Sequence, residues 1–253
     1  MKRTVIIAAM EREVSPLVRT WQRASITGGE RSFVVFENDV AAVVISGIGR
    51  KNAERAARAA VAQYAPATLM SVGLAGAVIR SLKAGSVVTP NVVVDASDGA
   101  EYRCAAQNGG GVVGGGVLVT AEEVAGTGAK AKLAEQFHAL IVDMEAAGVA
   151  KVAEDSQIGF RCVKAISDEA EFVMPPMAQF VDAAGDFQTG KFAAWAAVRP
   201  WHWARVAALA ANSAKATRAL CAGLKNDGAA QSSPAEIVTL NKAEFPDVAK
   251  GRG

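Results

Sequence analysis

Seven short apolar runs, rich in β-branched residues and almost free of internal polar alternation, constrain this chain more than anything else in it. They are TVIIAAM (4–10), DVAAVVIS (39–46), ATLMSVG (67–73), GSVVTPNVVVD (85–95), GVLVT (116–120), ALIVD (139–143) and RCVKAIS (161–167). A strand that is apolar on both faces has to be covered on both faces, which predicts a largely parallel or mixed sheet packed between helices. The segments between the runs supply such helices. RKNAERAARAAVAQY (50–64) carries small residues at helical spacing, AEEVAGTGAKAKLAEQF (121–137) does so less regularly because of its glycines, and a long Ala-rich helix is expected from about Trp203 to Leu224. The expected fold class is therefore α/β, a three-layer αβα sandwich around a mixed central sheet. One domain is expected over residues 1–225, followed by a polar, flexible tail over 226–253.

Charge and cysteine usage exclude several functions. The 27 basic and 25 acidic residues are spread along the chain and leave a formal charge of +2, so no basic face suited to a nucleic-acid backbone is expected. The N-terminal MKRTVIIAAMEREV has an apolar run of only about six residues before charge returns, unlike a secretory leader. FAAWAAVRPWHWARVAALAA is interrupted by Arg199, Pro200 and Arg205 and is unsuited to a membrane span. A soluble, cytoplasmic protein is expected. Cys104, Cys162 and Cys221 are widely spaced, with only His138 and His202 to join them, so no metal site is expected. The turn in SGIGRKNAERAA (46–57) lacks the third glycine of a dinucleotide fingerprint, and no cofactor is expected. QNGGGVVGGG (107–116) reads as a flexible turn, since no GK[ST] helix start follows it. Trp195, Trp201 and Trp203 lie beside Arg199 and Arg205; their readings are packing of C-terminal helices, an apolar substrate mouth, or weak contact with a membrane surface.

Ligands in open α/β sheets gather outside the carboxyl ends of the strands. Three acids stand there: Glu13 after the first run, Glu145 in IVDMEAAGVAKVA (141–153), and Asp168 after RCVKAIS. Each residue type also complements the positive N-terminus of a following helix. Converging in one water-poor crevice, however, carboxylates repel one another and become proton donors and acceptors. Being acceptors only when ionised, they suit the neighbouring 2′ and 3′ hydroxyls of a ribose.

The order and spacing of IIAAMEREV, SGIGRKNA, SVGLAGAV, VDMEAAGVA and VKAISDEAE resemble the nucleoside phosphorylase and nucleosidase superfamily, most closely its methylthioadenosine/S-adenosylhomocysteine nucleosidase branch, over about residues 3–172. The resemblance implies a barrel-like central sheet, a homo-oligomer, and cleavage of the N-glycosidic bond of a 5′-substituted purine nucleoside with release of adenine. It matches Glu13 to the acid that activates water, Met144 and Glu145 to the ribose clamp, and Asp168 to the acid that protonates purine N7. Ser167 is matched to the support of that aspartate, and Leu118 and Val119 to the lining of the base pocket. Met10, Ile48, Leu74 and Lys164 complete the expected substrate-binding set. Leu74, Ala77, Leu118 and Lys164 depart from the family pattern, Lys164 replacing an arginine. Phosphate as nucleophile, in place of water, and a non-catalytic nucleoside-binding module are the alternatives. The longer segment after Asp168, with MPP and the tryptophans, resembles the hopanoid-associated phosphorylase branch, which implies adenosylhopane as a substrate.

Overall fold

The computed structural model describes residues 3–105, 113–182 and 184–227. In chain order, β1 (Thr4–Ala8) leads to α1 (Glu11–Val18), the hairpin β2 (Gln22–Gly28) and β3 (Arg31–Glu37), and β4 (Ala41–Ile45). Helix α2 (Arg50–Tyr64) returns the chain to β5 (Thr68–Ala77). There follow β6 (Val87–Thr89), β7 (Val92–Asp95), β8 (Glu101–Arg103), β9 (Val113–Gly114) and β10 (Val117–Thr120). Then come α3 (Thr127–Phe137), β11 (Ala139–Asp143), α4 (Ala146–Asp155), β12 (Gly159–Asp168), α5 (Thr189–Ala197) and α6 (Trp203–Asn226). The expected flexible tail lies outside the described residues from residue 228 onward, as do residues 107–112 of the glycine-rich turn 107–116.

The apolar runs form one mixed sheet of 12 strands among the described residues. Its pivot is β5, ten residues long. Strand β5 pairs in parallel with β1 along its first half, in parallel with β12 along nearly all its length, and antiparallel with β11 at Gly76 and Ala77. One strand with three partners bends the sheet around itself, giving the barrel-like centre. It also brings the carboxyl ends of β1, β11 and β12 to one crevice.

Small side chains set the distance between layers. On one face, Ala53, Ala56, Ala57 and Ala60 of α2 and Ala146, Ala147 and Ala150 of α4 join the buried core. A Cβ on Gly148 would stand 2.3 Å from the Arg50 carbonyl oxygen, so α2 and α4 touch backbone to backbone only because that residue is glycine. On the other face, Val14, Leu17 and Val18 of α1 meet Ala216, Leu220, Cys221 and Leu224 of α6.

Two departures from expectation have local causes. The run 85–95 is two strands, because Pro90 lies between β6, which pairs with β12, and β7, which pairs with β10. Proline supplies no N–H to a ladder and marks the point where the chain changes neighbours. Strand β3 carries the further apolar stretch Phe33–Phe36, whereas β2 is mostly polar, with only Ile26 buried, and is absent from the seven runs. A strand of that kind at a sheet edge has no continuous apolar signature.

Candidate active site

The crevice holds a cavity of about 650 Å³. Its floor is polar and its mouth apolar. Glu13, Asp143, Met144, Glu145, Ser167 and Asp168 all line it, together with Met10, Ile48 and Leu74. Glu13 occupies the first turn of α1 and accepts the Met10 N–H at 3.4 Å. A Cβ at position 73 would stand 3.0 Å from Glu13 Oε2, so the glycine there makes room for the carboxylate against β5. Glu145 sits between β11 and α4 and accepts the Gly49 N–H at 2.9 Å. Gly49 adopts φ +103°, and this turn aims its amide at the glutamate while opening α2.

Beneath these acids lies one buried cation. Lys164 Nζ is 2.8 Å from Asp143 Oδ2, and neither side chain is more than 1% exposed. Asp143 also accepts from Thr120 Oγ1 at 2.7 Å and from the Ala146 N–H at 2.9 Å. Burial works against the Lys164 ammonium, but the Asp143 and Glu145 carboxylates more than offset it, and its pKa lies above the ordinary lysine value. Burial and the nearby Asp143 raise Glu145 to about 7, against the pull of Lys164 and the Gly49 amide. Glu13 is likewise raised by burial, with Lys164, the Met10 amide and Arg12 opposing. Three carboxylates thus share one ammonium, and two of them hold their protons more tightly than a free carboxylate.

A second ion pair stands on the other side. Lys130, from α3, places Nζ 2.5 Å from Asp168 Oδ2 and 3.0 Å from the Glu169 carbonyl, and its side chain is 2% exposed. Ser167 Oγ donates to Asp168 Oδ1 at 2.8 Å. A Cβ at Gly76 would come within 2.8 Å of Asp168 Oδ2 and 3.2 Å of Lys130 Nζ, so this pair depends on a glycine in β5.

The mouth is built from the irregular segment after β12 and from the C-terminal helices. Met174, Met177, Val181, Phe187, Phe192, Val206 and Leu209 line it. Phe192 stacks on Trp195 at 5.9 Å, and Phe187 carries the Arg12 guanidinium at 5.2 Å. The segment is anchored where the Ile48 N–H donates to the Gly185 carbonyl at 2.8 Å.

A family model described as the phosphorylase superfamily matches residues 3–111 and 100–194, well over half of the chain. The chain belongs to the phosphorylase superfamily. Solved structures agree on the fold. The 5′-methylthioadenosine/S-adenosylhomocysteine nucleosidase from Neisseria meningitidis, in complex with methylthio-immucillin-A, is 22% identical with a TM-score of 0.60, covering 88% of this chain and 99% of its own. The MTA/SAH nucleosidase of Streptococcus pneumoniae, in complex with 8-aminoadenine, is 18% identical with a TM-score of 0.63, covering 90% and 100%. The Helicobacter pylori 5′-methylthioadenosine/S-adenosylhomocysteine nucleosidase with butyl-thio-DADMe-Immucillin-A is 15% identical with a TM-score of 0.62, covering 89% and 98%. No curated protein sequence matches the chain.

Of the residues expected at the site, Met10, Glu13, Ile48, Leu74, Met144, Glu145, Ser167 and Asp168 meet in the cavity, and Leu118, Val119 and Lys164 do not line it. Leu118 and Val119 are fully buried in separate core clusters behind β10, not on the cavity wall. The lining on that side comes instead from the loop after the strand, Glu123 to Ala125. Lys164 does not line the cavity; it holds the carboxylates from behind. None of the three tryptophans lines the mouth: Trp195 backs Phe192, while Trp201 and Trp203 are 69% and 56% exposed. Asp143 and Lys130 were missed. Asp143 opens the DMEAA motif, whereas Lys130 carries no mark in an Ala- and Lys-rich helix. Among the described residues no metal-binding cluster occurs and no helix is long and apolar enough to cross a membrane.

Proposed function

We propose that this protein hydrolyses the N-glycosidic bond of an adenine nucleoside bearing a large apolar 5′ substituent. The observation that carries the proposal is the pairing of a carboxylate-lined floor with an apolar mouth in a single cavity of about 650 Å³. Glu145 accepts the ribose hydroxyls, with Met144 against the sugar, and its negative charge stabilises the cationic centre that develops at C1′. Glu13 takes a proton from the attacking water; its raised pKa makes it a better base near neutral pH. Asp168, oriented by Ser167, delivers a proton to N7 of the departing base.

Lys130 enlarges that last role. Its ammonium donates to Asp168, so the proton that leaves with the base is drawn from Lys130 through the carboxylate and is recovered from solvent after release. Lys164 keeps Asp143 and Glu145 from expelling one another. The mouth receives the 5′ group, and the resemblance to the hopanoid-associated branch makes adenosylhopane the candidate at its long, apolar extreme.

A phosphorolytic reading has one observation in its favour: Arg12 and Arg218 both line the cavity and could meet an anion there. Chromatographic detection of free adenine from a panel of 5′-substituted adenosines, with and without phosphate, separates the readings. Release without phosphate is expected, fastest for long apolar 5′ groups. Release only with phosphate would replace hydrolysis by phosphorolysis, and binding without release would favour a non-catalytic module.

A further inference from the structure

The large hydrophobic side chains exposed among the described residues are Val173, Val198, Trp201 and Trp203, and all four fall between residues 173 and 203. They adjoin the mouth in sequence. Val173 precedes the lining residue Met174, and Trp203 begins the helix that carries Val206 and Leu209 to the cavity. The Trp203 indole N–H donates to the Ala196 carbonyl at 2.9 Å, fixing the start of α6 on α5 with the ring still more than half exposed. Arg199 lies over the Trp195 ring at 4.9 Å and donates to its carbonyl, so this corner is a rigid platform.

Charge on the same segment is one-sided. From residue 188 to 226 there are six cations, Lys191, Arg199, Arg205, Lys215, Arg218 and Lys225, and no aspartate or glutamate. The whole chain, by contrast, is nearly balanced at 27 basic to 25 acidic residues. Exposed indoles on a stretch of chain that carries cations and no carboxylate match the headgroup level of an anionic bilayer, where tryptophan buries its ring and arginine meets phosphate.

We propose that the surface formed by Val198, Trp201 and Trp203, with Lys191, Arg199 and Arg205, docks on an anionic lipid membrane and sets the apolar mouth against it. A nucleoside whose 5′ group is anchored in lipid then passes from bilayer to cavity without exposing that group to water. This rests on the reading of the mouth as the site of an apolar 5′ substituent.

The test is flotation of the full-length protein with vesicles of phosphatidylcholine alone and of phosphatidylcholine with phosphatidylglycerol. Binding is expected to the anionic vesicles, weaker at high salt. K191Q/R205Q should weaken it by about 25-fold, taking about fivefold for each surface cation. V198S/W201S should abolish it, with unchanged melting temperature and unchanged adenine release from a short-chain, water-soluble 5′-substituted adenosine, since both side chains are exposed and neither braces α6 on α5. Equal binding of either variant, or no binding by the parent chain, would overturn the proposal. So would a V198S/W201S variant whose light-scattering mass falls while the parent chain ignores vesicles, because the patch would then join copies of the chain. Vesicle binding without adenine release from any substrate would fail the hydrolytic reading and leave docking standing.

Discussion

The floor and the mouth of the cavity are built on opposite principles. Floor residues stand at the ends of central strands, and three of the acids are held by contacts distant in sequence: Glu145 by Gly49, Asp143 by Lys164 and Thr120, Asp168 by Lys130. Mouth residues come from an irregular segment and two terminal helices, held by ring stacking and one backbone anchor at Gly185. Charges whose separation matters to a fraction of an ångström need a sheet to fix them. Apolar surface that has only to exclude water tolerates looser construction and can vary without disturbing the chemistry.

The largest effects are therefore expected on the floor. Asp168→Asn should lower adenine release by about 10² to 10⁴ while leaving nucleoside affinity within a few-fold, as loss of a general acid does; calorimetric binding beside the release assay separates the two. Comparable loss of binding and turnover would mean that Asp168 only shapes the pocket. Lys164→Met should cost about 3–5 kcal/mol in urea denaturation, because it strands Asp143 and Glu145 without their buried cation. Adding Asp143→Asn to that variant should recover part of the loss. If the double variant is no better than the single one, the ion pair is not what holds the floor.

A smaller effect concerns pH. An unfolded Glu145 titrates near 4.5, and in the folded chain it titrates at about 7. Between those values the unfolded carboxyl is ionised while the folded one keeps its proton, so the folded state binds more protons and stability falls as pH rises. The contribution is whole below about 4.5 and gone above about 7. Glu145→Gln should flatten unfolding stability against pH across that window, by on the order of 3 kcal/mol at its upper end. An unchanged slope would assign the pH dependence to other groups, Glu13 first.

The same contrast explains what could be read from the sequence. Strands β1, β4, β11 and β12 and helix α2 declare themselves through runs and spacings that are local, and the acids at their ends follow from the strand ends. Lys130 does not, because its partner is 38 residues away and its helix has the composition of a solvated surface. Leu118 and Val119 were expected at the base pocket, but the strand itself is core and only the loop beyond it reaches the cavity. For the mouth, the tryptophans drew attention by their density, while the lining falls to scattered methionines and phenylalanines. No periodicity marks such residues until the chain folds them together.

The smallest change probes the mouth alone. Phe192 lines the cavity, stands edge-on to Phe180 at 5.3 Å and stacks on Trp195, yet touches none of the acids in the contacts described above. Phe192→Ala should raise KM for a long apolar 5′ group by about tenfold, the value of partly burying one ring, with kcat nearly unchanged. For a methylthio-sized 5′ group both constants should hold. A loss shared equally by short and long substrates would mean that the aromatic cluster braces the floor, and the division between a rigid chemical floor and an adaptable mouth would not survive it.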